Sequence, residues 1–153
     1  MKICVAGTGL TKFGELWGKD LLDLALDASL EAIHDSQLTI NEIDAVFVAN
    51  MIYSKFTGQD HLGAMVASKL GLACASFRVE GACASGGLAV HLAILSLLSG
   101  AYGNVLVVGA EKMTDVTVPE ITSALMGAGS EAERRAGLTF PGLYALMAKA
   151  HME

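Results

Sequence analysis

Val79-Glu80-Gly81-Ala82-Cys83-Ala84-Ser85-Gly86-Gly87 sets a cysteine among small residues where a short apolar run gives way to a longer apolar stretch of helical character. A thiol at a strand-to-helix turn is placed to act as a nucleophile. The amino terminus of a helix offers unpaired backbone N–H groups and a partial positive charge, which favour a thiolate and can hold a developing oxyanion. The other reading is a small buried residue that lets a helix pack closely on a sheet. Both stand open on these nine residues alone.

The composition narrows the setting. A chain of 153 residues fits one domain and can bury a sizeable core. Its hydrophobic content is 53%, its charged content 17% and its mean hydropathy +0.51, so some apolar surface is expected to face a partner. A net charge of -6 with Arg134-Arg135 as the sole basic pair argues against nucleic-acid binding. Cys4, Cys74 and Cys83 are odd in number and have no metal-ligand spacing. No disulfide framework or metal site is expected, and a reducing cytoplasm is favoured. The opening Met1 to Gly7 has too short an apolar run for a signal peptide.

Short apolar runs alternate with helical patterns, as in βαβ units with a largely parallel sheet. Ile3 to Ala6 reads as a first strand. Asp20, Asp23, Asp27, Glu31 and His34 recur at intervals of three or four opposite Leu22, Ala25, Leu26, Ser29, Ala32 and Ile33, which predicts an amphipathic helix on the outside of the sheet. Ala45 to Ala49 reads as a second strand, Gln59 to Leu70 as a helix closed by Gly71, and Ala75 to Val79 as a third strand. Gly7-x-Gly9 lacks the third glycine of a dinucleotide loop, Lys12 standing in its place, and no helix begins there.

No Asp, Glu, Lys or Arg occurs from Gly81 through Ala110, and Ala84 to Ser99 has helical character without a polar stripe. Such a helix is expected to be buried all round. It stops at Gly100, short of the ~20 residues a bilayer span requires. Asn104 to Gly109 is almost wholly apolar, as for an interior parallel strand. Four strands and three helices do not cover both sides of the Cys83 helix, so further structure is expected against it. Beyond Glu111 the chain reads as irregular until Pro141 starts a helix that meets the last residue without a stop signal, so the chain looks cut within a helix.

The Cys83 stretch, the dry helix after it and the strand ending Val107-Val108-Gly109-Ala110-Glu111-Lys112-Met113 together resemble the amino-terminal half of a thiolase. Gly7-Thr8-Gly9-Leu10-Thr11-Lys12-Phe13-Gly14 and Leu138-Thr139-Phe140-Pro141 extend the resemblance over the whole length. It is nearest to the archaeal and bacterial acetyl-CoA acetyltransferases related to the sterol-carrier-protein thiolases. The fold so implied is α/β and thiolase-like, one βαβαβ half of a layered αβαβα architecture with the start of a loop domain. Residues 1–118 would form the α/β half and residues 119–153 the beginning of the loop region.

The resemblance also implies a chemistry. Cys83 would accept an acyl group from acyl-CoA, with its backbone N–H sharing in an oxyanion hole, and a second acetyl-CoA would attack the thioester. The coenzyme A thioester is then substrate, with no separate cofactor. The histidines and second cysteine that complete such a site have no counterpart here. His91, about 12 Å along a helix from Cys83, is read as a packing residue, and His34, His61 and His151 as structural. Met126 falls in the loop that lines the acyl pocket of related enzymes, or is apolar filler. Arg134 and Arg135 would meet coenzyme A phosphates, or form a solvated pair. Cys4 and Cys74 are read as small buried residues. Expected partners are a second copy in a homodimer or higher oligomer, a missing carboxy-terminal half or complementary chain, and a complex with a hydroxymethylglutaryl-CoA synthase. A ketosynthase, or a non-catalytic module of a split enzyme, is the alternative.

Overall fold

The helical pattern after Asp20 forms as α1 (Leu21–Ser36) in the computed structural model, which describes residues 2–153. Its start is a reciprocal capping box: the Asp23 N–H donates to Asp20 Oδ1 at 2.7 Å and the Asp20 N–H to Asp23 Oδ2 at 3.1 Å. Gln37, at φ 60°, ends it. Leu21, Ala25, Ser29 and Ile33 are buried, so the inward stripe has the spacing the sequence predicts.

Three parallel strands follow: β1 (Ala45–Ala49), then β2 (Ala75–Val79) after the short α2 (Tyr53–Thr57) and α3 (Leu62–Leu70), then β3 (Val105–Gly109) after α4 (Ser85–Leu98). The order is β2-β1-β3, with Ala45 opposite Ala75 on one side and Val105 on the other. All five residues of β1 are buried. Alternation then divides them: Val46 and Val48 join Leu106 and Val108 beneath α1 and α3, while Ala45, Phe47 and Ala49 join Val79 beneath α4. The layers follow from handedness. The crossover from β1 to β2 and the one from β2 past β1 to β3 run in opposite directions, so right-handed connections put their helices on opposite faces.

The sheet differs from the sequence expectation in two ways. Ile3 to Ala6 is not a strand. Its segment lies against α1, where the Thr8 N–H donates to Asp35 Oδ2 at 2.8 Å and the Leu10 N–H to Glu31 Oε2 at 2.9 Å. Gly7 and Gly9 approach the helix so closely that a Cβ on either would strike the carbonyl oxygens of Ala32 and Ala28. Side-chain carboxylates thus take the place of a ladder, and Cys4, expected to be buried, is exposed. The other difference is at Asn104 to Gly109. Among the described residues nothing pairs on the outer side of β3, and only Leu106 and Val108 of that strand are buried.

The dry helix is corrected too. α4 buries Ser85, Ala89 and Ala93, a stripe of small residues four apart that lets it lie close on the sheet. Leu88, Val90, Leu92, Ile94, Leu95 and Leu98 are exposed, because a three-stranded sheet offers the helix one face only. The helix expected over Gln59 to Leu70 begins at Leu62, where His61 takes a left-handed φ of 64°.

The chain divides into two compact units, one ending at Lys112 and the other spanning Met113–Glu153. The second is helical where irregular chain was expected, in α5 (Val118–Leu125) and α6 (Glu131–Arg135), and the helix expected from Pro141 forms as α7 (Phe140–Met152). Thr117 with Glu120 and Ser130 with Glu133 form capping boxes, a signature legible as Thr-x-x-Glu and Ser-x-x-Glu. Thr139 caps α7 by accepting from the Gly142 N–H at 3.3 Å, with Pro141 in its first turn. Among the described residues no helix is long and apolar enough to cross a membrane.

Asp44, just before β1, ties it to the turn before β3. Its Oδ2 accepts from the Asn104 N–H at 2.9 Å and the Gly103 N–H at 2.7 Å, which hold its carboxyl below the ordinary value. A carboxylate depressed in the folded state stabilises the fold above its unfolded pKa and loses that contribution as pH falls through the folded one. Asp44→Asn is expected to lower the urea midpoint at neutral pH and to flatten the acid limb of the stability curve below about pH 4. An unchanged limb in chemical denaturation across that range counts against this role.

Candidate functional site

β2 delivers the chain to Cys83 through a strained turn. Gly81 has φ −163° and ψ 44°, and Ala82 stands at φ 51°, a left-handed conformation that costs an alanine about 1–2 kcal/mol. Short hydrogen bonds hold it there. The Ala82 N–H donates to Glu80 Oε1 at 2.6 Å, Ser85 Oγ donates to the Ala82 carbonyl at 2.6 Å and accepts from the Gly81 N–H at 3.0 Å. The Ala84 N–H closes the turn on the Gly81 carbonyl at 3.0 Å. A Cβ at position 81 would meet Leu88 Cδ1, so a larger residue there would require the exposed Leu88 side chain to turn aside.

Cys83 sits in the 3-10 turn Ala82–Ala84 that leads into α4, and it is exposed. Among the described residues no backbone group accepts from its N–H, while the N–H groups of Ala84 and Ser85 are used inside the turn. An exposed thiol beside a free N–H at a helix entrance suits attack on a carbonyl carbon. The other cysteines differ in surroundings. Cys74 is half-buried, and burial, with the charge of Asp44, pushes its thiol up. Cys4 is exposed on the segment over α1.

Topology places this turn at a recognisable point. The connections leaving the carboxyl ends of the neighbouring strands β1 and β2 pass to opposite faces, and such a divergence opens a crevice where α/β proteins bind ligands. Three residues given no role from sequence gather at this edge. Asn50 is buried; its Nδ2 donates to the Ala110 carbonyl at 2.8 Å and to Glu111 Oε1 at 3.0 Å, and its Oδ1 accepts from the Tyr53 N–H at 3.1 Å. Glu111 Oε2 accepts from the N–H groups of Met51 at 3.0 Å and Ile52 at 3.2 Å. Arg78 Nη2 donates to the Met51 carbonyl at 2.8 Å. A lone acidic residue closing the apolar run Val105 to Ala110 was the visible signal for Glu111; nothing in the sequence pairs it with Asn50.

In the second unit, Met126 and Arg134 line one open cleft of about 480 Å³, with Val118, Pro119, Thr122 and Leu138. Met126 is buried in the turn after α5. Arg134 is held by its Nη1 donating to the Gly129 carbonyl at 3.4 Å. Arg135 does not line that cleft and pairs with Glu131 on the surface of α6 at 2.5 Å. His34, His61, His91 and His151 are all exposed. Among the described residues no cluster could hold a metal ion.

Known proteins resemble this chain over nearly its whole length. The family model described as the thiolase amino-terminal domain matches residues 3–153. The acetyl-CoA acetyltransferase of Methanothermobacter thermautotrophicus is 43% identical over 152 residues, covering 98% of this chain and 39% of that protein. That of Methanocaldococcus jannaschii is also 43% identical over 152 residues, covering 98% and 38%. Among solved structures, the priming β-ketosynthase of the R1128 polyketide pathway aligns with a TM-score of 0.57 at 31% identity, over 65% of this chain and 29% of that one. The chain thus spans about two fifths of the length of these acetyltransferases. A match across nearly every residue, the Cys83 turn included, shows that the chain belongs to the thiolase family as its amino-terminal region.

Proposed function

We propose that this chain supplies the nucleophile of a thiolase-type acetyl-CoA C-acetyltransferase. The observation that carries the reading is the exposed Cys83 with its free N–H at the entrance of α4, in a chain 43% identical to acetyl-CoA acetyltransferases. Cys83 Sγ attacks the thioester carbonyl of acetyl-CoA, the carbonyl oxygen becomes an oxyanion facing the Cys83 N–H, and coenzyme A leaves as its thiol after taking a proton. A second acetyl-CoA, deprotonated at its α-carbon, attacks the acyl-cysteine; the new carbon–carbon bond forms as the carbon–sulfur bond to Cys83 breaks. Thiolysis is the reverse.

The groups that move these protons lie outside the 153 residues in this reading, since His91 is displaced about 12 Å along α4. The exposed apolar flank of α4 is the surface on which we place that second half, and the cleft at Met126 and Arg134 is the place for an acyl or pantetheine group, with Arg134 rather than Arg135 toward phosphate. A second copy of the chain and a hydroxymethylglutaryl-CoA synthase remain proposed partners, in a reducing compartment that suits three free cysteines.

Two measurements test this. Iodoacetamide labelling followed by peptide mapping is expected to modify Cys83 about tenfold faster than Cys4 at neutral pH. Cys74, with its thiol pushed up, should gain reactivity only at higher pH than an ordinary cysteine. Equal rates at Cys83 and Cys4 would sink the nucleophile assignment. Incubated alone with acetyl-CoA, the 153-residue chain is expected to make no acetoacetyl-CoA at turnover near 1 per second, a rate ordinary for an intact enzyme. Turnover at that level would show that the site is complete without a second half. Transfer of labelled acetyl to Cys83 from acetyl carrier protein but not from acetyl-CoA would favour the ketosynthase reading.

A further inference from the structure

We propose that Glu111 is a positioning residue for Cys83, acting through the bend Asn50–Tyr53 rather than by contact with the thiol. The inference rests on the nucleophile reading above. One carboxylate gathers three donors: Oε1 takes the Asn50 amide, and Oε2 takes the N–H groups of Met51 and Ile52. The bend so fixed holds the end of β2 by two links. The Asn50 N–H donates to the Val79 carbonyl at 3.2 Å, and the Met51 carbonyl receives Arg78 Nη2 at 2.8 Å.

Arg78 and Val79 are the last residues of the strand that leads to Cys83. Between them and the thiol stand only Glu80, Gly81 and Ala82, and Ala82 is the residue held at φ 51°. A strained conformation persists only where its surroundings over-determine it. The turn supplies its own bonds from Glu80 and Ser85, and the tie from Glu111 supplies the fixed platform behind them. Arg78 Nε is buried without an acceptor, so the hold of its guanidinium on the bend rests on Nη2. The carboxyl ends of all three strands are thereby joined at the crevice, β3 through Glu111, β1 through Asn50 and β2 through Arg78.

The test is the pH profile of iodoacetamide labelling at Cys83, normalised to Cys4, over about pH 6 to 9. Glu111→Gln keeps an acceptor for the backbone donors but opposes an amide to the Asn50 amide. It is expected to lower the Cys83-to-Cys4 ratio about threefold or more across the range. An unchanged ratio overturns the proposal. So does a rise, which would mean that the Glu111 charge had been acting on the thiol directly. Cys74 reports the fold, because unfolding would expose it. Should it become reactive in Glu111→Gln, Arg78→Met decides: it keeps a long unbranched side chain but removes every donor to the Met51 carbonyl, and must lower the ratio in the same direction. A wild-type ratio in Arg78→Met overturns the route through the bend. Failure of the nucleophile reading is seen separately, as equal Cys83 and Cys4 rates in the unsubstituted chain.

Discussion

The parallel ladder on both sides of β1 is the constraint from which the first unit follows. Five residues, all buried, pair with β2 on one edge and β3 on the other. A parallel pair cannot be closed by a tight turn, so each pairing demands a crossover, and each crossover brings a helix onto a face. Because β1 is central, its side chains must satisfy two cores at once. Val46 and Val48 serve one, and Ala45, Phe47 and Ala49 the other. A slip of one residue would exchange the two sets and oppose Phe47 to a layer filled by Val46 and Val48.

The same constraint creates the site. Connections leaving adjacent strands toward opposite faces open a crevice at the carboxyl edge, and the first residues beyond β2 are those that turn toward α4. The distance from Val79 to Cys83 is short, and the turn that spans it holds Ala82 at a left-handed φ of 51°. Small side chains at 85, 89 and 93 then let α4 lie close on the sheet. The site is therefore rigid from below and open above, with Cys83 exposed. Family membership agrees with this arrangement, since the matched residues 3–153 include the whole stretch from strand to helix.

Hydrophobic periodicity and turn chemistry alone determined much of this chain: the amphipathic α1 with its acidic outer face, the strands β1 and β2, the helical character after Cys83, and the placement of that cysteine at a strand-to-helix turn. These are local properties, legible because each repeats within a few residues. The helices α5 and α6 were legible too, in their Thr-x-x-Glu and Ser-x-x-Glu starts, but glycines and a charged pair masked the signal. Tertiary structure alone decided which apolar runs enter the sheet and what surrounds the thiol. Ile3 to Ala6 has the composition of a strand, yet the edge of β1 is taken by β3, and Glu31 and Asp35 on α1 receive the neighbouring N–H groups instead. The apolar flank of α4 predicts burial, but burial depends on what faces it. Asn50, Arg78 and Glu111 span 61 positions of sequence from first to last and meet only because parallel strands bring their carboxyl ends to one edge, where a carboxylate can gather donors that no local spacing connects.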